Sequence, residues 1–149
     1  MEAKELMLFD LVKRKKDGKI MTVVELRYAE TIAAITPDDV YYGDMEDYHE
    51  SEIEPIPLTP EILEKNGWIS DNSNDHLRIY NLRYGKEYST IAISDDGKWS
   101  IEVGAEIAKK DKRGRADLVT FIRDWCDGFC VHELQHCLKL VGIEKDIVL

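Results

Sequence analysis

Residues 55–60 read Pro-Ile-Pro-Leu-Thr-Pro. Each proline fixes φ near about −65° and lacks a backbone N–H, so neither the interior of a strand nor that of a helix can run through this stretch. The same residues open a helix. Thr59 is a side-chain N-cap, Pro60 suits the first helical position, and Glu61 and Glu64 lie toward the positive end of the dipole. Asn66-Gly67 stops that helix after about two turns. The chain is therefore read as a small β module over 1–58, followed by an α+β part over 59–149 packed on it, with one compact unit as the alternative.

In the first part, Leu6, Leu8, Phe9 and Leu11 bracket a first strand. Asp17-Gly18 is a turn, Ile20 to Leu26 and Thr31 to Ile35 are β-branched runs, and Val40 to Tyr42 is a fourth, short strand. Several short strands in so little chain predict an SH3-like barrel. Strand candidates Leu77 to Leu82, Thr90 to Ser94 and Trp99 to Val103 follow, with Asp95-Asp96-Gly97 as a hairpin turn. Leu118 to Ile122 leans to strand, although 117–125 reads nearly as well as helix. Val131 to Gly142 has helical period. The fold class is α+β.

The 149 residues carry 20 basic and 30 acidic side chains, a net charge of −10. Ten carboxylates and no Lys or Arg lie between Asp38 and Glu64. Such a chain repels a phosphate backbone. The acidic run instead offers Asp44, Glu46, Asp47 and Glu50 as a surface for a protein partner. Basic residues cluster at Lys13–Lys16 and in the loop 109–115, which has no aromatic neighbours. No apolar run approaches the roughly 20 residues of a membrane helix, and the first residues lack a signal sequence. Three cysteines, all between 126 and 137, do not make a disulfide framework and fit a reducing, cytoplasmic setting.

The sharpest chemical signal is His132-Glu133-Leu134-Gln135-His136, an H-E-x-x-H motif on a predicted helix. Two histidines one turn apart can share a zinc ion, with Glu133 as general base to a bound water. His132 and His136 are thus the metal candidates and Glu133 the catalytic one. A third protein ligand is needed. The extended motif fails, because Lys139 and Gly142 stand where a glycine and a third histidine belong. Only 13 residues follow His136, leaving His76 or Asp124 as upstream options. On a helical wheel Val131, Leu134, Cys137, Leu138 and Val141 form one face. His132, Gln135, His136 and Lys139 form the other, so both imidazoles are expected to point outward beside a cation. A structural zinc site of Cys126, Cys130, His132 and His136 has its ligand pairs nearly fused. The cysteines also read as buried small apolar residues, and no cofactor is expected.

Two segments carry a family resemblance: Glu52 to Leu63 with Asn66-Gly67-Trp68, and Val131 to Leu138 with Gly142-Ile143-Glu144. They resemble short phage- and prophage-associated proteins of Bacteroides-type bacteria. That group shares an "EPIPLT" connector and a closing Val-His-x-Leu-Gln helix. It often has Gln at the Glu133 position and Asn at the His136 position, which fits a structural helix. The resemblance implies a shared fold and a mobile-element setting, and brings no activity with it.

The leading expectation is a non-enzymatic phage or mobile-element accessory protein. It would bind a protein through its acidic surface or the exposed face of its last helix. A small zinc-dependent hydrolase and a nucleic-acid-related role, as phosphate binder or acidic DNA mimic, are the alternatives.

Overall fold

The computed structural model describes residues 2–27, 30–36, 45–110 and 116–149. Among these residues the fold is α+β, with two five-stranded antiparallel sheets and two α-helices. The chain divides into two units. One is Met1–Pro57 with Cys130–Glu133, and the other is Leu58–Phe129 with Leu134–Leu149. No helix among the described residues is long and apolar enough to cross a membrane.

The first unit contains β1 (Leu11–Arg14), β2 (Ile20–Leu26), β3 (Thr31–Ile35), β4 (Glu46–His49) and β5 (Ile53–Glu54). Their order is β4-β3-β2-β1-β5. Val23 pairs with Ala34 and Glu25 with Ala33, so Val24 is an extra residue in β2. Such a bulge bends a strand and sharpens its twist. Inside the bend lie Leu6, Val12, Met21, Val23, Ile32, Ala34, Tyr48 and Ile53. The sheet is open: β4 and β5 stand at its two ends with no ladder between them among the described residues. The expected strand over Val40 to Tyr42 lies outside the described residues.

The first strand starts at Leu11, later than the apolar alternation suggests. The cause is Asp10, which is fully buried. Its carboxylate accepts the Met7 N–H at 2.7 Å, and its own N–H donates to the Met7 carbonyl. This closes a turn with Phe9 in the left-handed region at φ 69°. Leu6 enters the core, while Met7, Leu8 and Phe9 face solvent, Phe9 at 59% exposure. The periodicity of a strand is here the periodicity of a turn wrapped around a carboxylate.

The second unit holds α1 (Pro60–Lys65), then β6 (Ile69–Asp71), β7 (Leu77–Tyr84), β8 (Glu87–Ser94), β9 (Trp99–Lys110) and β10 (Ala116–Cys126) in the order β10-β9-β8-β7-β6. Residues 117–125 are strand. Tyr80, Ile91 and Ile101 line up across β7, β8 and β9, and all three are buried. On the opposite face Tyr88 stands across from Gly104 and donates to Glu102 at 2.9 Å. A Cβ at position 104 would lie 2.6 Å from the Tyr88 hydroxyl, so the ring occupies the space a side chain would need.

Helix α1 is capped as the sequence predicts, with Thr59 Oγ1 accepting the Ile62 N–H at 3.3 Å. Asn66 does more than stop it. Its amide nitrogen donates to the carbonyls of Ile62 (2.8 Å) and Val148 (2.7 Å), and its oxygen accepts the Val148 N–H (2.8 Å). One buried amide thereby ties the last residues of the chain to the end of α1. Helix α2 (Val131–Leu140) ends in a Schellman pattern. There Ile143 N–H bonds to the Leu138 carbonyl at 3.0 Å and Gly142 sits at φ 78°.

Asn66→Ala removes all three bonds and leaves part of the Val148 backbone unsatisfied. A loss of about 1–3 kcal/mol is expected in denaturant unfolding. Hydrogen exchange should accelerate at the Val148 amide well before the β8 amides respond.

Candidate functional site

The H-E-x-x-H segment sits where the chain enters α2. Pro57 and Cys130 form an antiparallel bridge, and the Val131 N–H donates to the Ile56 carbonyl at 2.8 Å. Val131 is the first residue of the helix, so this bond satisfies one of the donors that a helix start leaves unpaired. The Glu133 carboxylate, three residues inside, accepts the Cys130 N–H at 2.9 Å. This is the return half of a capping box. The carboxylate proposed as general base is thus engaged in holding the helix start.

The outward orientation expected of both imidazoles is overturned at His132. It is 6% exposed with Nδ1 fully buried, and Gln135 is 8% exposed. His136 is half-buried, and only Lys139 and Leu140 at the end of α2 are exposed. The wheel assumes one dry face and one wet face. Here the first two turns are covered nearly all round. His76 lies 3.3 Å from Asp95, and the Asp124 carboxylate accepts the Trp125 N–H at 2.9 Å. Cys126 points its thiol at the Gly128 carbonyl, and Cys137 is buried. Among the described residues no group of three or more His, Cys, Asp or Glu side chains is arranged to hold a metal ion.

The acidic surface has a different layout from the one its sequence run suggests. Asp44 lies outside the described residues. Glu46 and Asp47 are on β4 and exposed, yet both have internal partners. Asp47 pairs with Arg27 at 2.7 Å. Glu46 accepts the Tyr48 hydroxyl at 2.5 Å and lies 3.6 Å from Arg14. Beside β4 a cavity of about 450 Å³ is lined by Arg14, Lys15 and Lys16 against Glu46, Asp47 and Glu52, three charges of each sign.

The surplus is elsewhere in the same unit. A cavity of about 340 Å³ is lined by Glu2, Glu30 and Glu50 against Arg27 alone, with Ala3 and Leu26 as apolar wall. The Glu50 carboxylate accepts the Ala3 N–H at 2.8 Å, and its N–H donates to the Glu30 carbonyl at 2.9 Å. Glu30 holds φ at 61°, a conformation that a non-glycine residue adopts at a cost. His49 is the N-cap of the 3-10 turn Glu50–Glu52, accepting the Ser51 N–H on Nδ1, while Glu52 caps it in return. Of the three described candidates, Glu46, Asp47 and Glu50, only Glu50 lines this cavity. Glu2 and Glu30 lie outside the acidic run and arrive through the first 3-10 turn (Ala3–Glu5) and the β3–β4 pairing of Thr31 with His49. No local sequence signal marks them.

Arg14 organises the neighbouring charges. It grips Asp17 through Nε at 2.9 Å and Nη2 at 2.6 Å, and donates to the Tyr48 hydroxyl at 2.8 Å. These bonds hold the Asp17 carboxyl down at about 2. Burial, then the hydrogen bond to Glu46, pushes the Tyr48 phenol above its ordinary value. Comparison with protein-family models, curated proteins and solved structures finds no match to this chain.

Glu133→Gln keeps an acceptor for the Cys130 N–H and is expected to leave the melting temperature nearly unchanged. Glu133→Ala removes it and should cost about 1 kcal/mol. Asp17 binds its proton more weakly in the folded chain than in the unfolded one, so its contribution is present above about pH 4 and lost as the pH falls toward 2. The stability gap between the wild type and Asp17→Asn should therefore close over that interval in acid titrations followed by circular dichroism.

Proposed function

We propose that this protein is a non-enzymatic binding module whose first unit recognises a basic segment of a partner protein. The observation that carries the reading is the cavity where Glu2, Glu30 and Glu50 outnumber Arg27. A Lys or Arg side chain suits it. The aliphatic stem can lie along Leu26 and Ala3 while the charged head meets the carboxylates. The left-handed backbone of Glu30 supports the assignment, because strain of this kind gathers at ligand-binding positions. Glu46 and Asp47, already paired internally, serve as the long-range field that steers a cation rather than as its seat.

The finer fold reading belongs with this proposal. The strand order β4-β3-β2-β1-β5, the bulge in β2 and the 3-10 turn joining β4 to β5 favour an SH3-like module, an architecture suited to peptide recognition. Fold by itself assigns no function. The phage or prophage setting implied by the family resemblance gives such a module an accessory role beside another protein. The reaction chemistry suggested by H-E-x-x-H is disfavoured by the engagement of Glu133 with the Cys130 N–H.

The test is titration calorimetry with a short Lys/Arg-rich peptide and a Glu-rich peptide of the same length. Only the basic peptide should bind, more weakly as salt rises. Glu30→Gly relieves the backbone strain and removes one carboxylate, so it should melt no lower than wild type and bind about ten-fold more weakly. Binding unchanged in Glu30→Gly and Glu50→Gln, or no preference between the peptides, would refute the assignment.

A further inference from the structure

The basic cluster Lys13–Lys16 has no part in seating a cation, and its charges are spent unequally. Lys13 pairs with Glu54 at 2.6 Å. Arg14 is engaged with Asp17 and the Tyr48 hydroxyl. The Lys15 ammonium donates to the Ser51 carbonyl, a neutral acceptor, at 2.7 Å. Lys16 is exposed and makes no hydrogen bond or ion pair among the described residues. The last three of these residues line the cavity of about 450 Å³ beside β4, opposite Glu46, Asp47 and Glu52. The formal charges there balance, but the pairings do not. Glu46 has Arg14 at 3.6 Å and Asp47 has Arg27 at 2.7 Å. Among the described residues, Lys15 and Lys16 have no carboxylate within ion-pair distance, and of the lining acids only Glu52, which accepts the His49 N–H, has no cation. The unmatched charge of this cavity is therefore positive. An ammonium such as that of Lys16 can take an anion from outside without giving up an internal bond.

This cavity adjoins the acidic one within the first unit. Arg27 lines the acidic cavity and pairs with Asp47, which lines the other. The 3-10 turn Glu50–Glu52 gives its first residue to the acidic cavity and its last to the other. Thr31 of the acidic cavity stands across from His49, and Asp47 lies two residues back along β4, about 7 Å at the rise of a strand. With side chains added, the two seats are roughly 10 Å apart, a span that an extended chain covers in about three residues.

We infer that the basic segment recognised by the first unit carries an acidic residue about three positions from its Lys or Arg, and that Lys16, with Lys15 beside it, receives that carboxylate. This rests on the acidic cavity as the seat of the basic residue. It adds what a single acidic seat lacks, a means of telling one basic segment from another. A segment with a second Lys or Arg at the same spacing sets its ammonium against Lys16, and a like-charge contact of this kind selects against the wrong partner. The pairing is exposed, so its effect is modest and falls as salt rises.

Titration calorimetry of the full chain at low salt tests it with three peptides of equal length. Each carries one lysine, and the residue three positions on is glutamate, glutamine or a second lysine; the same set is made in the reverse order. In one of the two orders the glutamate peptide should bind about three- to five-fold more tightly than the glutamine peptide, and the second-lysine peptide most weakly. Lys16→Gln should erase the advantage of glutamate over glutamine, and Lys16→Glu should turn the preference toward the second lysine. Lys16 holds no internal partner, so neither change should lower the melting temperature. Glu50→Gln should weaken the glutamate and glutamine peptides alike and leave their ratio as it was. Equal binding of those two peptides by the wild type in both orders, or the same ratio in Lys16→Gln, overturns this inference and leaves the acidic seat standing. No binding of any of the peptides overturns both.

Discussion

The start of α2 is the constraint on which most of the remaining structure rests. A helix entering from an extended segment leaves backbone donors without partners, and burying them is costly. Here the Ile56 carbonyl takes one and the Glu133 carboxylate secures the Cys130 N–H beside it. The Leu58 N–H, in turn, meets the Phe129 carbonyl at 2.8 Å. The proline-rich stretch suits this arrangement, because Pro57, having no N–H to satisfy, sits at the bridge itself. Glu133, in the sequence a candidate general base, is in space part of the fastening of a helix start that also bonds to the extended segment at Ile56.

Charge follows a similar economy. A chain with ten more acids than bases must spread or neutralise its repulsion. Two arginines do much of this. Arg14 joins Asp17, Tyr48 and Glu46, and Arg27 joins Glu25 and Asp47. Longer-range geometry then gathers Glu2, Glu30 and Glu50 around a single arginine. Electrostatic character is set by which carboxylates folding gathers around one cation, not by where they crowd along the chain.

Sequence reading succeeded where a local rule decides the outcome. Thr59-Pro60 and Asn66-Gly67 bound α1, β2 and β3 run over the residues expected, and Gly142 follows the end of α2. It failed where a long-range contact overrules periodicity. Asp10 converts the alternation from Leu6 to Leu11 into a turn, and burial of α2 on nearly all sides defeats a two-faced wheel at His132 and Gln135. The role of Glu133 was half visible. A glutamate at the third helical position is a capping signal, yet Cys130 at the N-cap lacks the usual hydroxyl partner. Membership of Glu2 and Glu30 in one cavity had no local trace at all.

The discontinuity of the first unit bears on how the protein is made. Residues 58–129 are inserted between Pro57 and the Cys130–Glu133 segment that belongs with it. On a ribosome that adds roughly 5–20 residues per second, the first 57 residues emerge several seconds before their closing segment is synthesised. During that interval Ile56 has no Val131 N–H to accept, and the nascent first sheet waits while the longer-stranded unit is threaded out. Translation speed through residues 58–129 therefore sets how long the first unit goes without its closing segment.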